Sequence, residues 1–190
     1  MVQTPTTYVT QEEFEQLCYD YPDRMIERTA QGELVDVSPV GGEGSSREAE
    51  LIADIIIWNR QTQLGKVFSS QGAFRLPFGS TRAADVAWVQ QNRWDALTPE
   101  QQIRFPPICP DFVIELRSQS VSNGVVKPQS LSELRIKMTE YVASGLRLGW
   151  LINPPDQQVE IYRVGQAVQI VLMPTILSGE DVLSGFELSV

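Results

Sequence analysis

The chain has 190 residues, a formal net charge of −9 and no histidine. Without imidazole, a Ser-His-Asp triad, a Cys-His pair, a histidine-bound metal hydrolase and an HNH nuclease are all excluded. Carboxylates, lysine, tyrosine or a hard metal ion bound by oxygen must carry any chemistry. The acidity argues against broad, non-specific DNA binding but leaves room for a local basic groove.

The length and an apolar content of 42% predict a single domain over residues 1–190 with a buried core. The first residues show neither the basic nor the apolar region of a signal peptide. The longest apolar run, Leu51–Trp58, is interrupted by Asp54 and is too short to span a bilayer. We therefore expect a cytoplasmic protein that makes no membrane contact, with its two cysteines reduced.

The N-terminal third is expected to end in one long helix. The capping box Thr10–Glu13 predicts a short helix that stops at Tyr21-Pro22. Two short strands at 25–28 and 33–37 and a loop rich in glycine and serine at 39–46 should follow. Residues 47–63 predict the long helix, because one stripe is apolar: Leu51, Ile52, Ile55 and Ile56.

One acidic residue lies on the apolar side of this long helix. Glu48 precedes Leu51 by three residues and Ile52 by four, so it belongs to the inward stripe. Glu50 is turned towards the flank. Glu48 is therefore the acid of this helix that we expect to face the interior.

From Lys66 onward the pattern becomes typical of strands. Short strands are predicted at 67–69, 74–76 and 85–89, followed by one or two short helices within 91–105. Residues 112–116 are almost continuously apolar, which indicates a buried central strand. We expect a polar loop over 118–129, which contains Gly124 and Pro128.

A second capping box, Ser130–Glu133, predicts a helix that stops at Gly145. Three strands, at 148–152, 159–162 and 168–172, should then form a meander. The complete pattern predicts an α+β fold in which a mixed β-sheet is flanked by helices.

Two acidic residues are set in predicted strands. Asp85 begins one strand, and Glu115 lies inside the apolar strand 112–116. Alternate residues of a strand share a face, so Glu115 points the same way as Val113 and Arg117. A carboxylate in so apolar a strand is costly unless it is paired or binds a metal ion. A buried salt bridge from Glu115 to Arg117 or to a lysine explains the pattern equally well at this point.

Carboxylates on neighbouring strands can hold Mg²⁺ through oxygen, and the ion can activate water and stabilise charge on a phosphate. Lys137 borders the inward face of the helix that starts at Ser130, and it is the candidate to position or deprotonate that water. The alternative for Lys137 is a surface ion pair with Glu133, four residues earlier. The residues alone favour that alternative.

Several segments together resemble the bacterial Uma2-type restriction endonuclease family. They lie at 32–34, 39–42, 110–118, 137–141, 145–154, 177–180 and 185–186. The resemblance covers almost the whole chain and implies a restriction-endonuclease-like core of the PD-(D/E)xK superfamily.

By this resemblance Asp85 and Glu115 bind Mg²⁺ or Mn²⁺, and Lys137 is the catalytic lysine, displaced from the strand onto the following helix. Glu48 matches the auxiliary helix acid. The implied activity is hydrolysis of phosphodiester bonds in nucleic acid, with DNA as the expected partner. A homodimer is also expected, because cutting a duplex needs two sites.

Three positions depart from the family pattern. Ala84 stands where a proline usually precedes the aspartate, and the loop after the strand reads Ser118–Val121 instead of a Ser-Pro-Ser-Asp type. Arg117 occupies the lysine position of the wider superfamily and cannot act as a base. These departures favour a second hypothesis, a non-catalytic interaction protein that retains the fold.

A third hypothesis is a module that binds a sugar or nucleotide, which would need an aromatic-lined pocket. The four tryptophans are scattered along the chain, and we expect them in the core or at an interface.

Overall fold

The structure of the protein is a computed structural model that describes residues 7–37, 39–122 and 125–190. Its helices are α1 Gln11–Asp20, α2 Gly42–Thr62, α3 Gln91–Asp95, α4 Pro99–Ile103 and α5 Leu131–Ala143. Its strands are β1 Ile26–Arg28, β2 Leu34–Asp36, β3 Gly65–Ser69, β4 Ala73–Arg75, β5 Thr81–Ala83, β6 Val86–Gln90, β7 Phe112–Leu116, β8 Gln119–Ser122, β9 Val125–Pro128, β10 Leu148–Asn153, β11 Gln158–Arg163, β12 Gln169–Leu172, β13 Ile176–Ser178 and β14 Glu187–Ser189. Among the helices of these ranges, none is both long and apolar enough to cross a membrane.

The central sheet has six strands in the order β12-β11-β10-β7-β6-β3. Strands β7 and β10 run parallel, and every other neighbouring pair is antiparallel. Parallel neighbours need a crossover, which the chain makes through α5. The predicted α+β fold, a mixed sheet flanked by helices, is confirmed.

A second, smaller sheet has the order β2-β1-β5-β4 and is antiparallel throughout. The chain leaves this sheet at Ala83 and enters the central sheet at Val86. Asp85 therefore lies in the junction between the sheets, one residue before the strand that we predicted it would begin. Strand β1 pairs with β5, and this pairing brings Glu27 beside the junction.

The core is divided by the central sheet into two apolar clusters. One contains Phe112, Ile114 and Leu116 of β7 with residues of α2 and of the β13–β14 hairpin. The other contains Val113 of β7 with residues of α5. Because side chains alternate along a strand, Glu115 shares the α5 side with Val113. Burying an isolated charge there would cost more than the roughly 1.5–3 kcal/mol gained from burying one Ile or Phe. Glu115 therefore needs a partner.

The predicted loop over 39–46 is wrong from residue 42 onward, where α2 already begins. Gly41 is the N-cap residue, with extended backbone and no capping side chain, so the usual start signal is missing. An ion pair between Glu43 and Arg47, 2.9 Å apart, lies along the first turns. Once nucleated, a helix of 21 residues extends at low cost, even over glycine.

The predicted loop over 118–129 is wrong at β8 and β9, which pair antiparallel with Gln119 opposite Pro128. Residues 123 and 124 of that prediction lie outside the described residues. The valines of β8 and β9 favour strands, a signal that the polar neighbours concealed. Strands β5, β13 and β14 were not predicted either. Each has three residues, too few for a periodic pattern, and is stabilised by its pairing partner. The helix starts at Thr10 and Ser130 are confirmed, and both side chains accept a hydrogen bond from the N3 backbone.

Candidate active site

A cleft of about 600 Å³ opens between the small sheet, the start of β6, the end of β7 and helices α2 and α5. Its lining is rich in charge and includes Glu27, Glu48, Arg82, Asp85, Glu115, Glu133 and Lys137. The four residues singled out in the sequence, Glu48, Asp85, Glu115 and Lys137, thus lie around one cavity. Their chemical roles remain predictions.

Glu115 lies in the middle of this constellation and is almost completely buried. Its position near the end of β7, opposite Leu151 of β10, is fixed by the parallel pairing. Its Oε1 atom lies 2.8 Å from Nζ of Lys137. Burial raises the pKa of Glu115 to about 8, because Lys137 only partly offsets burial and the nearby charges of Asp85 and Glu27. Burial therefore favours the protonated form of this carboxyl and works against its ionisation even beside Lys137.

Asp85 is tied to the end of β7 from the junction between the sheets. The backbone N–H of Leu116 donates to its Oδ2 atom at 2.6 Å, which places the aspartate next to the residue that follows Glu115. Burial raises the pKa of Asp85 to about 6, although Lys137 and this hydrogen bond oppose the shift. Two neighbouring carboxyls of the cleft therefore resist ionisation.

Lys137 projects from α5 and has three close oxygen neighbours. Its Nζ atom donates to the carbonyl of Ala83 at 2.6 Å and lies 2.8 Å from Glu115 and 2.9 Å from Glu27. Burial opposes its charge, but the surrounding carboxylates win and raise the pKa of Lys137 above its ordinary value. The side chain is therefore an ammonium, and the surface pair with Glu133 is not the arrangement that the structure shows.

Glu48 lies on the cleft side of α2 and is partly buried, whereas Glu50 is exposed. The hydroxyl of Ser70 donates to Oε1 of Glu48 at 2.6 Å and fixes the carboxylate at the rim. The apolar stripe that sends Leu51 and Ile55 into the core is the reason for this orientation.

Arg117 lies outside the group of acids. Its guanidinium donates to Asn153, to Asp156 and to the carbonyl of Gln129. The salt bridge considered for Glu115 is thus formed with Lys137 and not with Arg117.

Three further charged residues belong to the site, and sequence reasoning missed them. Glu27 of β1 is buried and accepts from Arg82 at 2.9 Å, and Arg82 in turn donates to both carboxylate oxygens of Glu140 on α5. Burial disfavours the charge of Glu27, but Lys137 and Arg82 hold its pKa below the ordinary value. In the sequence, Glu27 and Arg82 are simply an acidic and a basic residue in short strands. Such residues are ordinary in exposed hairpins, so nothing marked them as part of a site.

The buried cluster contains more acids than bases. Four carboxylates, Glu27, Asp85, Glu115 and Glu140, surround two cations, Arg82 and Lys137, which leaves a charge of −2 when all are ionised. Protons or a divalent cation must supply the balance, because an uncompensated buried charge is expensive.

The donor set fits a hard divalent ion. The buried Oε1 atom of Glu115 lies 2.8 Å from Nζ of Lys137, and no further hydrogen-bond partner reaches it from the described residues. No group of three acidic or cysteine side chains within those residues could hold an ion alone. Mg²⁺ commonly uses one or two carboxylates and completes its shell with water and phosphate oxygens. Asp85 and Glu115 would hold such an ion and leave positions open.

Comparisons with known proteins agree with this geometry. Residues 11–190 match the family described as "Uma2: Putative restriction endonuclease". The fold is similar to a crystal structure from Anabaena variabilis ATCC 29413, described as "a putative nuclease belonging to DUF820". The two share 19% sequence identity, with a TM-score of 0.75 over 95% of this chain and 94% of the other. None of the curated proteins matches the sequence.

Proposed function

Because the chain belongs to the Uma2 family, we propose that it is a metal-dependent nuclease that hydrolyses phosphodiester bonds of DNA. In this proposal Asp85 and Glu115 bind Mg²⁺ or Mn²⁺. The ion, when bound, supplies Lewis acidity to the phosphate and to water. The family and the fold support a nuclease in general, and the metal and the substrate are the finer proposal.

The cluster's unbalanced charge carries this proposal. Asp85 and Glu115 sit in a cleft where burial raises their pKa values to about 6 and about 8. A divalent ion would match the charge of −2 and allow both carboxyls to ionise. Perturbed carboxyls in a cleft are typical of functional sites.

Lys137 acts as a cation in this proposal, not as a base. Its raised pKa keeps the proton on Nζ, so it would orient the attacking water and stabilise negative charge on the phosphate. Glu48 lies at the rim of the cleft, fixed by Ser70, where it can bind water at the edge of the ion's shell.

The test is a cleavage assay on plasmid, linear duplex, single-stranded DNA and RNA with Mg²⁺, Mn²⁺ or Ca²⁺. Wild type should cut DNA with Mg²⁺ or Mn²⁺. Asp85→Asn and Glu115→Gln should abolish cutting and weaken Mg²⁺ binding in calorimetry. Asp54→Asn and Glu50→Gln change exposed acids of α2 and should leave both unchanged.

Calorimetry also separates the proposal from its rival. A protein that binds no Mg²⁺ or Mn²⁺ and cuts none of these substrates would be the non-catalytic interaction protein, whose Lys137 only neutralises buried acids. Light scattering would test the expected homodimer, which duplex cleavage by paired sites requires.

A further inference from the structure

We propose that Glu27 is a positioning residue, the permanent counter-ion that holds Lys137 in place while Glu115 turns to the metal ion. The proposal rests on the proposed function, because it assigns Lys137 a role beside the ion. The family pattern of Asp85, Glu115 and Lys137 contains no residue from β1, the strand of Glu27.

The geometry shows two anchors for one ammonium. Nζ of Lys137 is 2.9 Å from Oε1 of Glu27 and 2.8 Å from Oε1 of Glu115. Of these two carboxylates, Glu115 lies beside Asp85 in the lining of the cleft and is a metal ligand in the proposed function. If Glu115 binds a cation, its attraction for the ammonium falls. Lys137 would then drift from the ion unless another anion holds it.

Two further contacts, besides the one with Lys137, hold the carboxylate of Glu27 in place. The backbone N–H of Ala83 donates to its Oε1 atom at 3.0 Å, and Arg82 donates to Oε2 at 2.9 Å. The carbonyl of Ala83 in turn accepts from Lys137. Since Asp85 follows Ala83 by two residues, Glu27 aligns both the lysine and the segment that leads to the aspartate.

Among the described residues, the network also provides a matched acid, Glu140, that forms no ion pair with the lysine. Arg82 binds Glu27 on one side and Glu140 on the other, with Glu140 at 2.7 and 3.0 Å. Both acids are buried or nearly so, and both tie α5 to the small sheet. If the network only stabilises the fold, neutralising either acid should have similar effects.

The experiment compares Glu27→Gln with Glu140→Gln. Glu27→Gln should lower kcat by about ten- to a hundredfold, the range for losing one charged hydrogen-bond partner, with KM unchanged. Glu140→Gln should lower Tm comparably and lower kcat clearly less than Glu27→Gln does, because Lys137 forms ion pairs with Glu27 and Glu115 and Glu140 pairs with Arg82. Should Glu27→Gln fail to fold, Glu27→Asp and Glu140→Asp are compared instead, and the larger loss of kcat is expected for Glu27→Asp. Equal kcat losses in the matched pair, or none, would overturn the proposal.

A double-mutant cycle with Lys137→Met adds a second criterion. If Glu27 acts through the lysine, Glu27→Gln should cause little further loss of kcat in the Lys137→Met background. Additive losses would show that Glu27 acts independently and would contradict the proposal.

A third measurement needs no activity, so it can decide if calorimetry shows that wild type binds Mg²⁺ but the protein cuts none of the substrates. The chain has three lysines, Lys66, Lys127 and Lys137, whose ¹⁵N ammonium signals can be assigned one by one. With saturating Mg²⁺, the buried Lys137 signal should persist in wild type and in Glu140→Gln. It should be lost by solvent exchange in Glu27→Gln. A signal that persists equally in all three proteins would refute the role of Glu27.

Discussion

Nζ of Lys137 and Oε1 of Glu115 lie 2.8 Å apart in the wall of the cleft. The pair joins α5, the crossover helix, to β7 of the central sheet. Both side chains are mostly buried, and the ammonium is shared with Glu27. Loss of the ammonium would leave Asp85 and Glu115 without a cationic neighbour, since Arg82 pairs with Glu27 and Glu140.

Lys137→Met should therefore destabilise the protein by about 3–5 kcal/mol in EDTA at neutral pH, the usual cost of breaking a buried ion pair. Saturating Mg²⁺ should reduce the loss, because the ion then balances Asp85 and Glu115. Urea unfolding in EDTA and in Mg²⁺ measures both effects. Lys66→Met changes an exposed lysine and should be neutral. Equal stability of Lys137→Met and wild type in EDTA would contradict the expectation.

Stability without metal should fall as pH rises from about 5 to 8. The pKa of Glu115 is raised to about 8 in the folded protein, above its unfolded value, so the folded state binds the extra proton in this range. The free energy of unfolding then decreases with pH until the carboxyl has ionised. Urea titrations in EDTA should show this slope in wild type and a weaker slope in Glu115→Gln. Glu50→Gln changes an exposed acid and is the control. If the dependence of the unfolding free energy on pH is unchanged in Glu115→Gln but altered in Glu50→Gln, Glu115 is not its source.

Mg²⁺ binding should release protons and tighten with pH. The folded carboxyls of Asp85 and Glu115 must ionise to bind the ion, and their pKa values lie at about 6 and about 8. Affinity should rise between pH 6 and 8 and level off above that. Calorimetry in buffers of different ionisation enthalpy counts the released protons. Asp54→Asn is the control, and binding that ignores pH would show that neither carboxyl is a ligand.

Arg117→Met should have almost no effect on the affinity for Mg²⁺. The guanidinium is held by Asn153, Asp156 and the carbonyl of Gln129, away from the acidic cluster. We expect a modest fall in Tm from the lost contacts and an unchanged Mg²⁺ affinity in calorimetry. A large loss of affinity would mean that the position two residues after Glu115 still serves the site.

Local signals predicted the framework well. The capping boxes at Thr10 and Ser130, the apolar stripe after Glu48 and the apolar strand of Glu115 are each contained in a short segment, and they identify α1, α5, α2 and β7. The start of α2 was missed because Gly41 supplies no capping side chain. The hairpin β8–β9 was missed because its strands are stabilised by each other and lie in polar sequence.

The site was predicted only in part for a related reason. Asp85, Glu115 and Lys137 could be selected from strand context and family resemblance. Glu27 could not, since its partner Arg82 is 55 residues away and nothing local marks either residue. The charge state of Lys137 was also undetermined, because burial and nearby carboxylates push its pKa in opposite directions.

The contacts of α5 with the small sheet bear on how the protein folds. Lys137 meets Ala83 across 54 residues, and Arg82 meets Glu140 across 58. Contacts between such distant segments cost loop entropy before they stabilise the chain. The cleft is complete only when these distant segments have met, so a divalent ion should recognise the native chain alone. Such an ion would slow unfolding while leaving the rate of folding almost unaltered.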